Sequence, residues 1–91
     1  MSVVVRVPRQ LRALVGGEGE IPVEATTVRE AIWAVEAGHP GLAERVLDDQ
    51  GSLRRFVNVF VADEDVRFLD GLDTNVAPGE TVSLVPAVAG G

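Results

Sequence analysis

Glu80-Thr81-Val82-Ser83-Leu84-Val85-Pro86-Ala87-Val88-Ala89-Gly90-Gly91 runs an alternating strand directly into a tail of small residues. Val82 and Leu84 share one face and Thr81, Ser83 and Val85 the other, the period of a half-buried strand. Pro78-Gly79 sets a tight turn in front of it, with proline fixing φ and glycine free to take the left-handed conformation. Glycine carries no Cβ, so a Gly-Gly segment can thread into a narrow site where any side chain would clash. Fully extended, Ala87 to Gly91 reaches roughly 17 Å. The expectation is chemistry at the carboxylate of Gly91, with Ala87, Val88, Ala89 and Gly90 threading a partner's active site. The domain then spans residues 1–86 and the tail residues 87–91.

Working back from that strand, Arg55 to Ala62 alternates, with Val57, Val59 and Val61 on one face and Phe56, Asn58 and Phe60 on the other. Asp63 to Asp65 is expected to turn the chain into a short strand around Val66 to Phe68. Gly71-Leu72-Asp73-Thr74 reads as a compact or single helical turn. Further back, Thr27 and Glu30 form a capping box, in which the hydroxyl takes an orphan N–H and the carboxylate returns to the cap's own N–H. A helix is therefore expected from Val28, with Val28, Ala31, Ile32 and Val35 on its buried face and Gly38 and Pro40 at its stop. Leu42 and Val46 suggest a short second helical piece before the turn Asp48-Asp49-Gln50-Gly51. At the start, Val3, Val5 and Val7 oppose Val4 and Arg6 in a first strand. Leu11, Arg12 and Leu14 lead to Gly16-Gly17, and Ile21 and Val23 belong to a second strand, giving a hairpin with a loose connection.

Composition narrows the function classes. Ninety-one residues with 46% hydrophobic and 24% charged residues suffice for one core. The apolar run Val3-Val4-Val5 stops at Arg6, far short of a signal-peptide core or a membrane span, so a cytoplasmic location is expected. A net charge of −6, from fourteen acidic and eight basic residues, opposes nucleic acid and anionic membranes and favours a basic protein surface as partner. All eight basic residues are arginine, so the chain offers no lysine amine as an acceptor for chains of itself. There is no cysteine, hence no disulfide, thiolate metal site or persulfide. Any sulfur the chain bears must sit on its terminal carboxylate.

The element order β-β-α-β-β-β resembles the ubiquitin-like β-grasp fold: α+β, with a mixed sheet of about five strands packed on one main helix and a C-terminal Gly-Gly tail. Asp65-Val66-Arg67-Phe68, Gly71-Leu72-Asp73-Thr74 and Val82 to Gly91 are similar to the matching stretches of MoaD/ThiS-type sulfur carriers. Arg55-Phe56-Val57-Asn58-Val59-Phe60-Val61-Ala62-Asp63-Glu64-Asp65 most resembles the CysO-type branch, the cysteine-biosynthesis carriers of actinobacteria. The resemblance is strong from Arg55 to Gly91 and weak before it. One departure is Asn75, where many relatives place proline after the threonine.

The resemblance implies a chain that is not itself an enzyme and binds no cofactor. An E1-like adenylating and sulfurtransferase enzyme uses ATP to adenylate Gly91, and a sulfur donor displaces AMP to leave a thiocarboxylate. The sulfur then passes to a biosynthetic enzyme, of the cysteine-synthase type first, or a thiosugar, molybdopterin or thiazole synthase. On the cysteine route a metal-dependent peptidase follows. Two other readings stand beside this one: a ubiquitin-like modifier conjugated through its C-terminal glycine, and a plain protein-interaction domain.

Phe56 and Phe60, joined by Val85 and by Val4, are expected on the sheet face away from the helix, as a contiguous apolar patch that docks a partner. Other features read as structural. Asp63, Glu64 and Asp65 lack the spacing of a calcium loop and belong to a solvated turn. His39 is the sole histidine, with no nucleophile evident beside it. Trp33 lies beside the apolar stripe and is expected to pack at its edge. Gly16-Gly17-Glu18-Gly19 lacks the lysine and hydroxyl residue of a phosphate loop.

Overall fold

The structure is a computed structural model and describes residues 2–86. Its elements are β1 (Ser2–Arg6), β2 (Glu20–Glu24), α1 (Val28–Gly38), α2 (Leu42–Val46), β3 (Val57–Val61), β4 (Glu64–Asp65) and β5 (Thr81–Pro86), with 3-10 segments at Arg9–Val15, Val66–Phe68 and Gly71–Asp73. The sheet order is β2-β1-β5-β3-β4. β1 and β5, far apart in the sequence, lie side by side and parallel at its centre, and the other pairings are antiparallel. Pro22 falls in β2, on the outside of the sheet, where its missing N–H costs no ladder bond on the open edge.

One face of the sheet is covered by α1. Val3, Val5, Ile21, Val57, Val59, Val61, Val82 and Leu84 from the strands join Val28, Ala31, Ile32 and Val35 from the helix in a single buried cluster. The alternation read in β1, β3 and β5 and the helical spacing read in α1 thus predict the core faces correctly. Leu42 and Val46 of α2 are also buried in it.

The N-terminal cap of α1 differs in one detail. Thr27 Oγ1 accepts from the Glu30 N–H at 3.1 Å, but Glu30 Oε1 accepts from the N–H (2.8 Å) and the hydroxyl (2.9 Å) of Thr26, one residue earlier than the reciprocal box requires. Thr27 also bridges to Asn75, and the Val28 N–H donates to Thr74 O at 3.1 Å, so the helix start is stitched to the loop at Thr74 and Asn75.

Three expected elements are displaced. The connection between β1 and β2 is an ordered 3-10 helix rather than a loose loop, because Val15 inserts fully into the core and Arg12 Nε donates to Val7 O at 3.1 Å. β3 begins at Val57, since the Val57 N–H closes a turn onto Arg54 O at 3.1 Å; Arg55 and Phe56 belong to that turn. The strand expected around Val66 to Phe68 is instead Glu64–Asp65, because a two-residue turn returns the chain at once, with both Ala62 (φ 50°) and Asp63 (φ 71°) left-handed. Asp65 Oδ1 then accepts from the Arg67 N–H at 2.8 Å and starts a 3-10 turn where a strand would have continued.

Candidate functional site

The sheet face away from α1 is set by register. Phe60 stands opposite Ser83 and Asn58 opposite Val85 on the β3–β5 ladder, and Arg6 and Val4 stand beside Ser83 and Thr81 on β1. Phe60 and Val85 therefore share this outer face, Phe60 half-buried and Val85 43% exposed. Phe56 lies in the turn just before β3 and is 62% exposed, with the Arg55 guanidinium 5.9 Å from its ring centroid. Val4 does not join them. It lies beside Thr81, four residues before Val85 along β5, which at about 3.3 Å per residue puts it some 13 Å away. The Arg6–Glu20 ion pair at 3.2 Å lies in the row between. Phe60 and Val85 are accordingly diagonal neighbours along β3 and β5, Phe56 stands in the turn before β3 with Asn58 between it and Phe60, and the apolar residues do not cross to β1.

Val57, the first residue of β3, pairs with Pro86, the last of β5. Ala87, Val88, Ala89, Gly90 and Gly91, on which the expected chemistry falls, lie outside the described residues. Pro86 delivers the chain to them from the outermost rung of the ladder.

Two exposed apolar residues escaped the sequence reading. Phe68 is 85% exposed and Leu69 41%. In a strand, Val66 and Phe68 would point the same way, and Val66 is fully buried; the 3-10 turn, with three residues per revolution, sends Phe68 outward instead. Trp33 is 50% exposed at the margin of α1, above a cleft lined also by Glu36, Leu47, Asp48 and Asp49. Glu36 is committed to structure there, accepting from the N–H groups of Gly41 (3.0 Å) and Ala43 (2.8 Å) at the start of α2. Among the described residues no group of three or more His, Cys, Asp or Glu side chains is placed to hold a metal ion, and no helix is long and apolar enough to cross a membrane.

A mixed five-stranded sheet clasping one main helix, with its central strand handing the chain to a Gly-Gly tail, defines a ubiquitin-like β-grasp protein. Residues 5–91 match the model of the ThiS family, and the chain belongs to that family. The sulfur carrier protein CysO of Mycobacterium tuberculosis is 44% identical over 93 residues, covering all of both chains. CysO in the crystal structure of the Amycolatopsis orientalis BexX/CysO complex superposes with a TM-score of 0.92 at 45% identity, covering 98% of this chain and 99% of that one. Small archaeal modifier protein 3 of Haloferax volcanii is 40% identical over 65 residues, 71% of this chain and 70% of that protein.

Proposed function

We propose that this chain is a sulfur carrier of the CysO type. The observation that carries the reading is the 44% identity, over the whole of both chains, to a protein named as a sulfur carrier. The absence of cysteine agrees with it, because a carrier of this composition has only a terminal acyl group on which to hold sulfur.

In the proposed cycle the Gly91 carboxylate attacks the α-phosphorus of ATP in an E1-like activating enzyme and releases pyrophosphate. Hydrosulfide supplied by a sulfur donor then attacks the acyl carbon, the bond to AMP breaks, a proton is lost, and a thiocarboxylate remains. Adenylation is needed because a carboxylate is a poor electrophile. The acceptor is a pyridoxal phosphate enzyme of the cysteine-synthase type. Attack of the thiocarboxylate sulfur on an aminoacrylate held there gives a cysteinyl thioester, which rearranges to the amide because the cysteine amine is within intramolecular reach of the acyl carbon. A metal-dependent peptidase frees the cysteine. The complex of a 45% identical CysO with BexX supports docking of such a carrier on a partner protein.

A second reading has its own support in the similarity to an archaeal modifier protein. Activation is common to both, and they part at the nucleophile that attacks the adenylate: sulfur for a carrier, a target's lysine amine for a modifier. Removing Gly91 tests the first step. The shortened chain is expected to fold normally and to form no thiocarboxylate with activating enzyme, ATP and sulfur donor; a shortened chain that is still converted contradicts the proposal.

A further inference from the structure

Among the described residues β4 pairs only with Phe60 and Val61, and no other strand neighbours the first residues of β3 on that edge. Arg67 fills the gap. Its Nη1 donates to Asn58 Oδ1 at 2.8 Å, and its Nη2 donates to Arg54 O and to Val57 O, both at 2.9 Å. The backbone of Arg67 is itself held by the Asp65 carboxylate at 2.8 Å. Arg54 is fastened from the other side, its N–H to Val46 O at 2.9 Å and its Nε to Glu44 O at 2.8 Å.

The residues so gripped are the partners of the last rungs before the tail. Val57 pairs with Pro86 and Asn58 with Val85. Pro86 has no N–H, so it can donate no ladder bond, and the end of β5 depends on β3 staying in place. A planar guanidinium can satisfy three acceptors in a fixed fork, whereas an ammonium is a point donor on a flexible stem.

We propose that Arg67 is a positioning residue for the terminal chemistry: its guanidinium clamps the start of β3 and, through the Val57–Pro86 and Asn58–Val85 rungs, fixes where the chain leaves the sheet on its way to the activating enzyme. The proposal rests on the carrier reading for its functional half and on geometry alone for its structural half.

The test uses the full chain and three variants, Arg67→Met, Arg67→Lys and Asn58→Ala. In Arg67→Met, amide exchange at Val57, Asn58 and Val85 is expected to rise about tenfold while Val5 and Ile32 stay protected, as for a local opening. Arg67→Lys should behave nearly as Arg67→Met, and Asn58→Ala, which keeps both carbonyl contacts, should lie between them and wild type. With the activating enzyme, Arg67→Met should show a KM raised about fivefold and an unchanged kcat, the pattern of lost binding shared by ground and transition states. Wild-type exchange at Val85, a rise spread equally over Val5 and Ile32, or an unchanged KM would each overturn the proposal. A wild-type chain that never becomes thiocarboxylated overturns the carrier reading instead, and the exchange pattern still decides whether the clamp exists.

Discussion

Phe60 and Val85 are diagonal neighbours on one face of the β3–β5 ladder, Phe60 opposite Ser83 and Val85 opposite Asn58, while Val59 between them turns into the core with no exposed surface. A single step along β3 thus separates a residue on the outer face of the sheet from one that holds the fold. Phe60→Asp is expected to cost about 1 kcal/mol of stability or less, as substitutions outside the core do. It should weaken binding to the activating enzyme by about 2 kcal/mol or more, as loss of an aromatic anchor does. Val59→Asp should unfold the domain, because it buries an unpaired charge. Melts followed by circular dichroism and a binding titration of each variant check this; a folded Val59→Asp with an unfolded Phe60→Asp would reverse the assignment.

The turn joining β3 to β4 carries two left-handed residues without a glycine, Ala62 at φ 50° and Asp63 at φ 71°. That conformation costs an L-residue roughly 1–2 kcal/mol, which aspartate partly escapes and alanine does not. Ala62→Gly should therefore raise stability by about 0.5–1 kcal/mol after glycine's own entropy cost, a shift of several degrees in Tm for a domain of this size. Ala62→Val should lower it. Thermal melts of the two variants in parallel give the sign, and a destabilised glycine variant would mean the turn is not strained.

Glu30 titrates below its ordinary value, first because the Thr26 N–H donates to its carboxylate and then because the Thr26 hydroxyl does, with a small opposing effect of desolvation. A carboxyl whose pKa is lower in the folded state adds stability above its unfolded pKa and loses it as pH falls through the folded one. Wild type should therefore exceed Glu30→Gln in Tm at neutral pH, with the gap closing as pH drops below the ordinary carboxylate range. A gap that is constant from pH 7 to strong acid would show that the charge on Glu30 contributes nothing to the cap.

Gly90→Val should leave the melt of the domain unchanged, since residue 90 lies outside β5 and the core cluster, and on the proposed threading of the C-terminal residues it should block adenylation, because a branched side chain stiffens and widens the segment. Pyrophosphate release by the activating enzyme measures this directly. Wild-type release by the variant would mean that the site is not narrow.

Most of the core was legible because period decides face: Val57, Val59 and Val61 alternate, and Val28, Ala31, Ile32 and Val35 recur at helical spacing, and all of them are buried. The misreadings fall where local geometry overrides period. Ala62-Asp63 carries no glycine to announce a two-residue turn, so the β4 strand was expected too late. The Asp65 cap then converts Val66–Phe68 to a 3-10 turn, so Phe68, which in a strand would share the buried face of Val66, stands 85% exposed. That Phe60 and Val85 share the outer face was legible, but the place of Phe56 in the turn before β3 was not, nor was the distance from Val85 to Val4, which depends on the parallel β1–β5 register, a long-range pairing that no local pattern encodes. Arg67 gave no signal at all: its three acceptors lie 9, 10 and 13 residues away.

The intact mass of the chain purified from its native host bears most directly on the sulfur-carrier proposal. A species heavier than the carboxylate form by the replacement of one oxygen with sulfur, localised to Gly91 by fragmentation and lost on hydrolysis, is the predicted result. A chain found only as free carboxylate together with a ladder of amide-linked protein adducts would contradict it and make the chain a modifier.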